Sequence, residues 1–157
     1  ARVLNYAKRY DESITEYKKL LQQKPDLYLA KAEMAGIILR QGKKSEAATI
    51  LGEIPPENTD DNTKLVMADI YAANKDYKRA EPFYRSYLSK HPDDLKVRLK
   101  LAELLSWDKR YSDSIQEYQG ILQKIPDDIQ VRRKYAFVLS WAGRHSEAIA
   151  ELRKTLK

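Results

Sequence analysis

The chain repeats itself every 34 residues, and no other feature constrains its fold as tightly. Ser106-Trp107 returns as Ser140-Trp141. Ala68, Ala102 and Ala136 fall on the same step, and so do Pro92 and Pro126. Pro25 precedes Pro92 by 67 positions, one step of 33 and one of 34. A fixed period of this length belongs to stacked supersecondary units, each burying its apolar side against the next, and not to one globular core.

Inside the period the apolar spacing is helical. In the unit 61–94, Leu65, Ala68, Tyr71 and Ala72 form one stripe, Lys75-Asp76 interrupts it, and Ala80, Phe83, Tyr84, Tyr87 and Leu88 form a second. Pro92-Asp93-Asp94 closes the unit: proline cannot continue the helix, and the acids suit the cap and first turn of the following one. Pro126-Asp127-Asp128 repeats this. The spacing predicts a partial unit at 1–27 and full units at 28–60, 61–94, 95–128 and 129–157. Gly42 and Gly143 fall where a left-handed residue stops a helix, and Lys75 and Lys109 hold that place in the other units at a small cost in strain. Pro82 is expected near a helix start, where a missing N–H matters little. Gly52 and Pro55-Pro56 end the second helix of the 28–60 unit early, so the polar stretch from Glu57 to Asp61 is the expected flexible joint.

A set of paired positions gives the pattern a family likeness. Met67-Ala68 with Tyr71 is followed by Ala80 with Tyr84 and by Pro92. Leu101-Ala102 with Leu105 is followed by Ser114 with Tyr118 and by Pro126. Tyr135-Ala136 with Leu139 is followed by Ala148 with Leu152, and Met34-Ala35 with Ile38, then Ala47 with Leu51, is a looser copy. Small residues let two helix backbones approach, and the large residue beside each fills the adjacent gap. Over essentially its whole length the chain resembles the tetratricopeptide repeat. The resemblance implies an all-α, right-handed superhelical solenoid of antiparallel helix pairs, acting as a binding scaffold with no catalytic role. Two departures stand out. The tryptophan often found at the family's fourth position is Lys31, Lys64, Arg98 and Arg132 here, and the glycine of its first crossing is alanine throughout.

The sequence offers little chemistry. Cysteine is absent, which removes disulfides and thiolate metal sites. His91 precedes a proline at a unit end, and His145 replaces the tyrosine of the matching turn positions 10, 77 and 111, so both read as structural. Asp93-Asp94 and Asp127-Asp128 are sequence neighbours at helix starts, unlike a facing acid–base pair. Five scattered glycines make no phosphate loop. No enzyme, metal or cofactor is expected. No window approaches the ~18 consecutive apolar residues of a membrane span. The chain opens at Ala1 in mid-repeat, and apolar Ile149 and Leu152 in the last helix want a neighbour, so a fragment of a longer protein is expected.

Charge points to one region. Up to residue 60 there are 10 Lys/Arg against 9 Asp/Glu, and beyond it 19 against 14, so most of the net +6 lies in the C-terminal half. In the family the first helices line the concave groove. Those of the last two units carry Lys96, Arg98, Lys100, Arg132, Arg133 and Lys134 against one acid, Glu103. Their second helices carry Asp113, Glu117, Glu147 and Glu151. Cations at 132–134 oppose the helix dipole, which Asp127 and Asp128 partly offset. The charges read either as solvated surface or as a basic groove for an acidic segment. Trp107 and Trp141, with Tyr6 at the equivalent place, end their first helices. They read either as packing against the next unit or as a platform for a side chain or sugar ring. The candidate groove is Lys96, Lys100, Glu103, Trp107, Arg133, Lys134, Phe137 and Trp141.

The carboxylate clamp of heat-shock chaperone binders needs Lys and Asn one turn apart. The matching pairs are Ala32 with Gly36, Leu65 with Asp69, Leu99 with Glu103, and Arg133 with Phe137, so that partner is disfavoured. Leu105-Ser106-Trp107 and Leu139-Ser140-Trp141 are similar to repeats of bacterial exopolysaccharide-export proteins, which implies a periplasmic setting. The main expectation is a scaffold binding a protein partner or acidic peptide segment. The alternatives are direct binding of an anionic or partly charged polysaccharide during export and a spacer between other domains of a longer chain. The chain lacks the interleaved aromatic and basic strand of common RNA modules, so nucleic acid is disfavoured.

Overall fold

A computed structural model describes residues 9–55, 57 and 59–156. Those residues form α-helices and short connections, with no strand among them. In chain order the helices are α1 (Tyr10–Gln23), α2 (Tyr28–Arg40), α3 (Lys44–Gly52), α4 (Asp61–Ala73), α5 (Tyr77–Lys90), α6 (Leu95–Trp107), α7 (Tyr111–Lys124), α8 (Ile129–Trp141) and α9 (His145–Arg153). The chain divides into two compact units, Ala1–Phe83 and Tyr84–Lys157. Each is a stack of antiparallel helix pairs, as the repeat implies.

The crossing residues lie where close backbone approach requires them. Ala35, Ala68, Ala80 and Ala102 are fully buried, and Ala136 and Ala148 nearly so. Ser114 is also fully buried, and its hydroxyl donates to the Ala102 carbonyl at 2.7 Å, so the polar atom is satisfied. In the N-terminal unit, Tyr71 stacks on Phe83 at 6.0 Å between ring centres and lies under the guanidinium of Arg79 at 4.8 Å. In the C-terminal unit, Ala102, Ile115, Tyr118 and Ile121 meet Val131, Tyr135, Val138 and Leu139 in one core.

The helix ends follow the sequence closely. Asp94 accepts from the backbone N–H groups of Lys96 and Val97, and Asp128 from that of Val131. Gly42, Lys75, Lys109 and Gly143 all have positive φ, between 62° and 83°. The same left-handed turn therefore recurs in four units, with lysine strained into it twice.

One local expectation needs revision. Pro82 is the sixth residue of α5, beyond the four positions whose N–H groups are free in any helix. It removes one i→i−4 bond from a helix interior, a larger disturbance than expected at a helix start. In the 53–60 connection, Pro56 and Asn58 lie outside the described residues. Around them Ile54 and Thr59 are buried, and Asp60 caps α4 by accepting from the Thr63 N–H at 2.6 Å. Tyr6, matched to the two tryptophans in sequence, also lies outside the described residues.

Candidate functional site

All eight candidate residues lie in the C-terminal unit, on its two first helices. On α6, Lys96, Lys100, Glu103 and Trp107 follow steps of four, three and four, which place them on one helix face. One repeat later α8 presents Gln130, Lys134, Phe137 and Trp141 at the same register. An ion pair from Lys134 Nζ to Glu103 Oε1 ties the two faces together. Arg133 is exposed but belongs to a different row: its register is that of Leu99, which packs against the core.

Both helices end in exposed aromatic rings, and those of α8 form a shelf with Tyr111. Trp107, Phe137 and Trp141 are each more than half exposed. Phe137 stacks on Trp141 at 6.4 Å, and Trp141 meets Tyr111 of α7 at 6.5 Å. Trp141 thus rests on the preceding helix pair and not on the next unit, and it is 56% exposed. Sequence reasoning assigned Tyr111 to a turn and missed its part in the shelf. The recurrence of tyrosine at 77 and 111 pointed to the turn, and nothing in sequence placed its ring against position 141.

The basic count shrinks in three dimensions. Arg98 Nη1 donates to Glu117 Oε2 at 2.8 Å, and its Nη2 to the Pro92 carbonyl at 3.1 Å. Arg132 repeats both bonds one period later, to Glu151 and the Pro126 carbonyl. These two arginines fasten first helix to second helix and are not available to a ligand. Glu151 shows the balance of forces: burial raises its carboxyl pKa, hydrogen bonds from Lys154 and Arg132 lower it, and the net is a lowered value. The tryptophan position of the family has become an ion-pair position here. Glu117 and Glu151, each 19 residues after its arginine, were the signal for it in the sequence.

Glu103 also acts on the core. Burial pushes the phenol of Tyr118 well above its usual range, and the negative charge of Glu103 adds to that. His91 packs its ring on Tyr87 at 4.4 Å, and His145 is exposed at the start of α9. Among the described residues no cluster of three or more His, Cys, Asp or Glu could hold a metal ion, and no helix is long and apolar enough to cross a membrane.

The family model of the tetratricopeptide repeat matches residues 4–70 and 71–136. The chain belongs to the tetratricopeptide-repeat family. This is a family of protein–protein interaction scaffolds, generally without enzymatic activity, and the fold is that of such a scaffold. Among solved structures the chain is similar to a MamA protein at a TM-score of 0.79 and 15% identity, covering 99% of this chain and 85% of that one. It is similar to MamA AMB-1 at 0.80 and 19%, covering 98% and 91%. MamA 41-end from Desulfovibrio magneticus RS-1 gives 0.79 and 15%, covering 99% and 88%. At these identities the likeness is one of fold. No curated protein matches in sequence.

Proposed function

We propose that the chain is a non-enzymatic scaffold that holds an acidic segment of a partner protein on the face made by α6 and α8. The observation that carries this reading is the exposed, stacked pair of Phe137 and Trp141 on α8, with exposed Trp107 at the end of α6 and Lys96 and Lys100 further back on the same face of that helix. Exposed aromatic rings clustered on a folded surface favour an occupant, because their burial contributes far more than scattered surface contacts do. The nearby cations select for an acidic partner and speed its encounter. The Glu103–Lys134 pair holds the two helix faces in register beneath that partner, and Arg133 adds charge at the edge.

The Leu-Ser-Trp endings lend less to an export role once their packing is known. Leu105 and Leu139 are fully buried, and Ser106 donates to the Glu103 carbonyl at 2.7 Å. Helix packing therefore accounts for two of the three residues, and the tryptophans alone remain to argue for a sugar polymer.

Both tryptophans of the chain sit on this face, so intrinsic fluorescence reads its occupancy directly. A glutamate-rich peptide with an apolar anchor should shift the emission, with an affinity that falls as salt rises. Lys96→Glu with Lys100→Glu should weaken it about tenfold, equivalent to roughly 1.4 kcal/mol, while the helical circular dichroism stays unchanged. A response to an anionic polysaccharide but not to the peptide would replace this reading with the polymer one. No response to either at low salt would remove the face from the account.

A further inference from the structure

Of the eight residues in the two rows of the α6–α8 face, Glu103 alone is acidic. It lies one turn before Trp107 on α6, and its Oε1 accepts from Lys134 Nζ on α8. The Glu103 side chain is 24% exposed and that of Lys134 46%, so the pair borders the surface. Lys134 is also the cation closest to the stacked rings of α8: Phe137 follows it by three residues and Trp141 by seven. Trp107 is 52% exposed with α8 in place one repeat on, so the openness of these rows belongs to the repeat position itself.

Lys96 stands differently. It is exposed in the first turn of α6. The acid beside it in sequence, Asp94, accepts from the backbone N–H groups of Lys96 and Val97 and from the Tyr87 hydroxyl, so its oxygens are taken up by the helix start. At the same register α8 has the uncharged Gln130. The face thus carries a neutralised cation close to its rings and an exposed one far from them. At the rise of a helix, Lys134 lies about 7.5 Å from the midpoint of Phe137 and Trp141, and the register of Lys96 about 13.5 Å. An extended guest with an apolar anchor on the rings covers those distances in about two and about four residues, both of which project to the same side as the anchor.

We infer that Glu103 is the specificity-determining residue of this face. By cancelling Lys134 it withholds the nearest cation, so a guest carboxylate is rewarded four residues from the anchor, over Lys96, and not two residues from it. The inference rests on the reading of the α6–α8 face as a site for an acidic segment, and it names which acidic segments the face takes. Discrimination between two placements of one charge needs only that the attraction be removed at one of them.

Two labelled peptides of equal composition and charge test it. Each has one Phe anchor and two Glu in a Gly/Ser background, with the Glu two residues to either side of the anchor in one peptide and four in the other. The symmetric placement makes the direction of binding immaterial. At low salt the parent chain should bind the four-residue peptide about fivefold more tightly. Glu103→Gln should tighten the two-residue peptide about fivefold and the other less than about twofold, which erases the preference. Lys134→Met added to Glu103→Gln should undo that gain. Lys134→Gln alone strands Glu103 as a bare acid and should weaken the two-residue peptide more than the other. It gives a second route should Glu103→Gln lose helical circular dichroism. Equal binding of both peptides by the parent, or equal tightening of both by Glu103→Gln, overturns the inference and leaves the acidic-segment reading standing, because Glu103 then acts through total charge alone. Binding of neither peptide, by the parent or by Glu103→Gln, overturns both together.

Discussion

At the scale of single residues, the four left-handed helix stops are the clearest case of sequence dictating geometry. The step from Gly42 to Lys75 to Lys109 to Gly143 follows the repeat, and every one of these residues has positive φ. Lysine in that conformation costs about 1–2 kcal/mol through its Cβ, while glycine loses ~0.5–1 kcal/mol more chain entropy on folding. Lys109→Gly should therefore stabilise the protein by about 0.5–1 kcal/mol, and Gly143→Ala should destabilise it by a similar amount. Lys109 is exposed and Gly143 has open space around its Cα, so no packing change obscures the comparison. Urea denaturation of the two variants decides it, and a loss of stability in Lys109→Gly would mean the lysine side chain contributes something its backbone does not reveal. These stops were legible because they depend on local backbone geometry alone. The caps Asp94 and Asp128 were legible for the same reason. Pro82 was misplaced because its consequence depends on which turn of α5 it occupies, and helix starts are uncertain by a residue or two from pattern alone.

At the scale of helix pairs, the sequence signalled the wrong use for its arginines. Arg98 and Arg132 looked like groove cations because both lie in first helices, near the start, among other basic residues. Their long side chains reach back to the second helix and to a proline carbonyl, a choice that follows from where Glu117 and Glu151 lie in space. In the Arg132–Glu151 pair the two side chains are 14% and 16% exposed. Solvent screening is therefore reduced, and a double-mutant cycle with Arg132→Met and Glu151→Gln should give a coupling of about 1–2 kcal/mol, above that of ordinary surface pairs. The carboxyl of Glu151 titrates below its ordinary value in the folded chain. Its contribution is therefore complete above the unfolded pKa of about 4.3 and disappears as pH falls through the lower folded value. The coupling measured at pH 7 should fade in that acid window. A coupling that persists at pH 2 would mean the pair is held by packing and not by charge.

At the scale of the whole molecule, repetition governs how stability is distributed. Each helix pair completes the core of its neighbour, so a pair covered on both sides is held more firmly than one covered on a single side. In the C-terminal unit, α7 packs on both α6 and α8, and Tyr118 and Ile121 are 1% exposed. The main packing of α9 is on α8, and its outward residues Ile149 and Leu152 remain uncovered. Amide exchange should therefore be fastest in α9, intermediate in α8 and slowest in α7, with α9 and α7 separated by at least about tenfold, or ~1.4 kcal/mol of opening free energy. The gradient reports nearest-neighbour coupling most directly between α7 and α8, which have fourteen and thirteen residues, whereas the nine residues of α9 add end fraying to its lack of cover. Ala136→Asp at the α8 crossing should collapse the gradient locally by exposing α8 and α9 together, while α7 retains part of its protection through α6. If all four helices instead exchanged through one common opening, the unit would behave as a single core, and the 34-residue period would describe its ancestry but not its energetics.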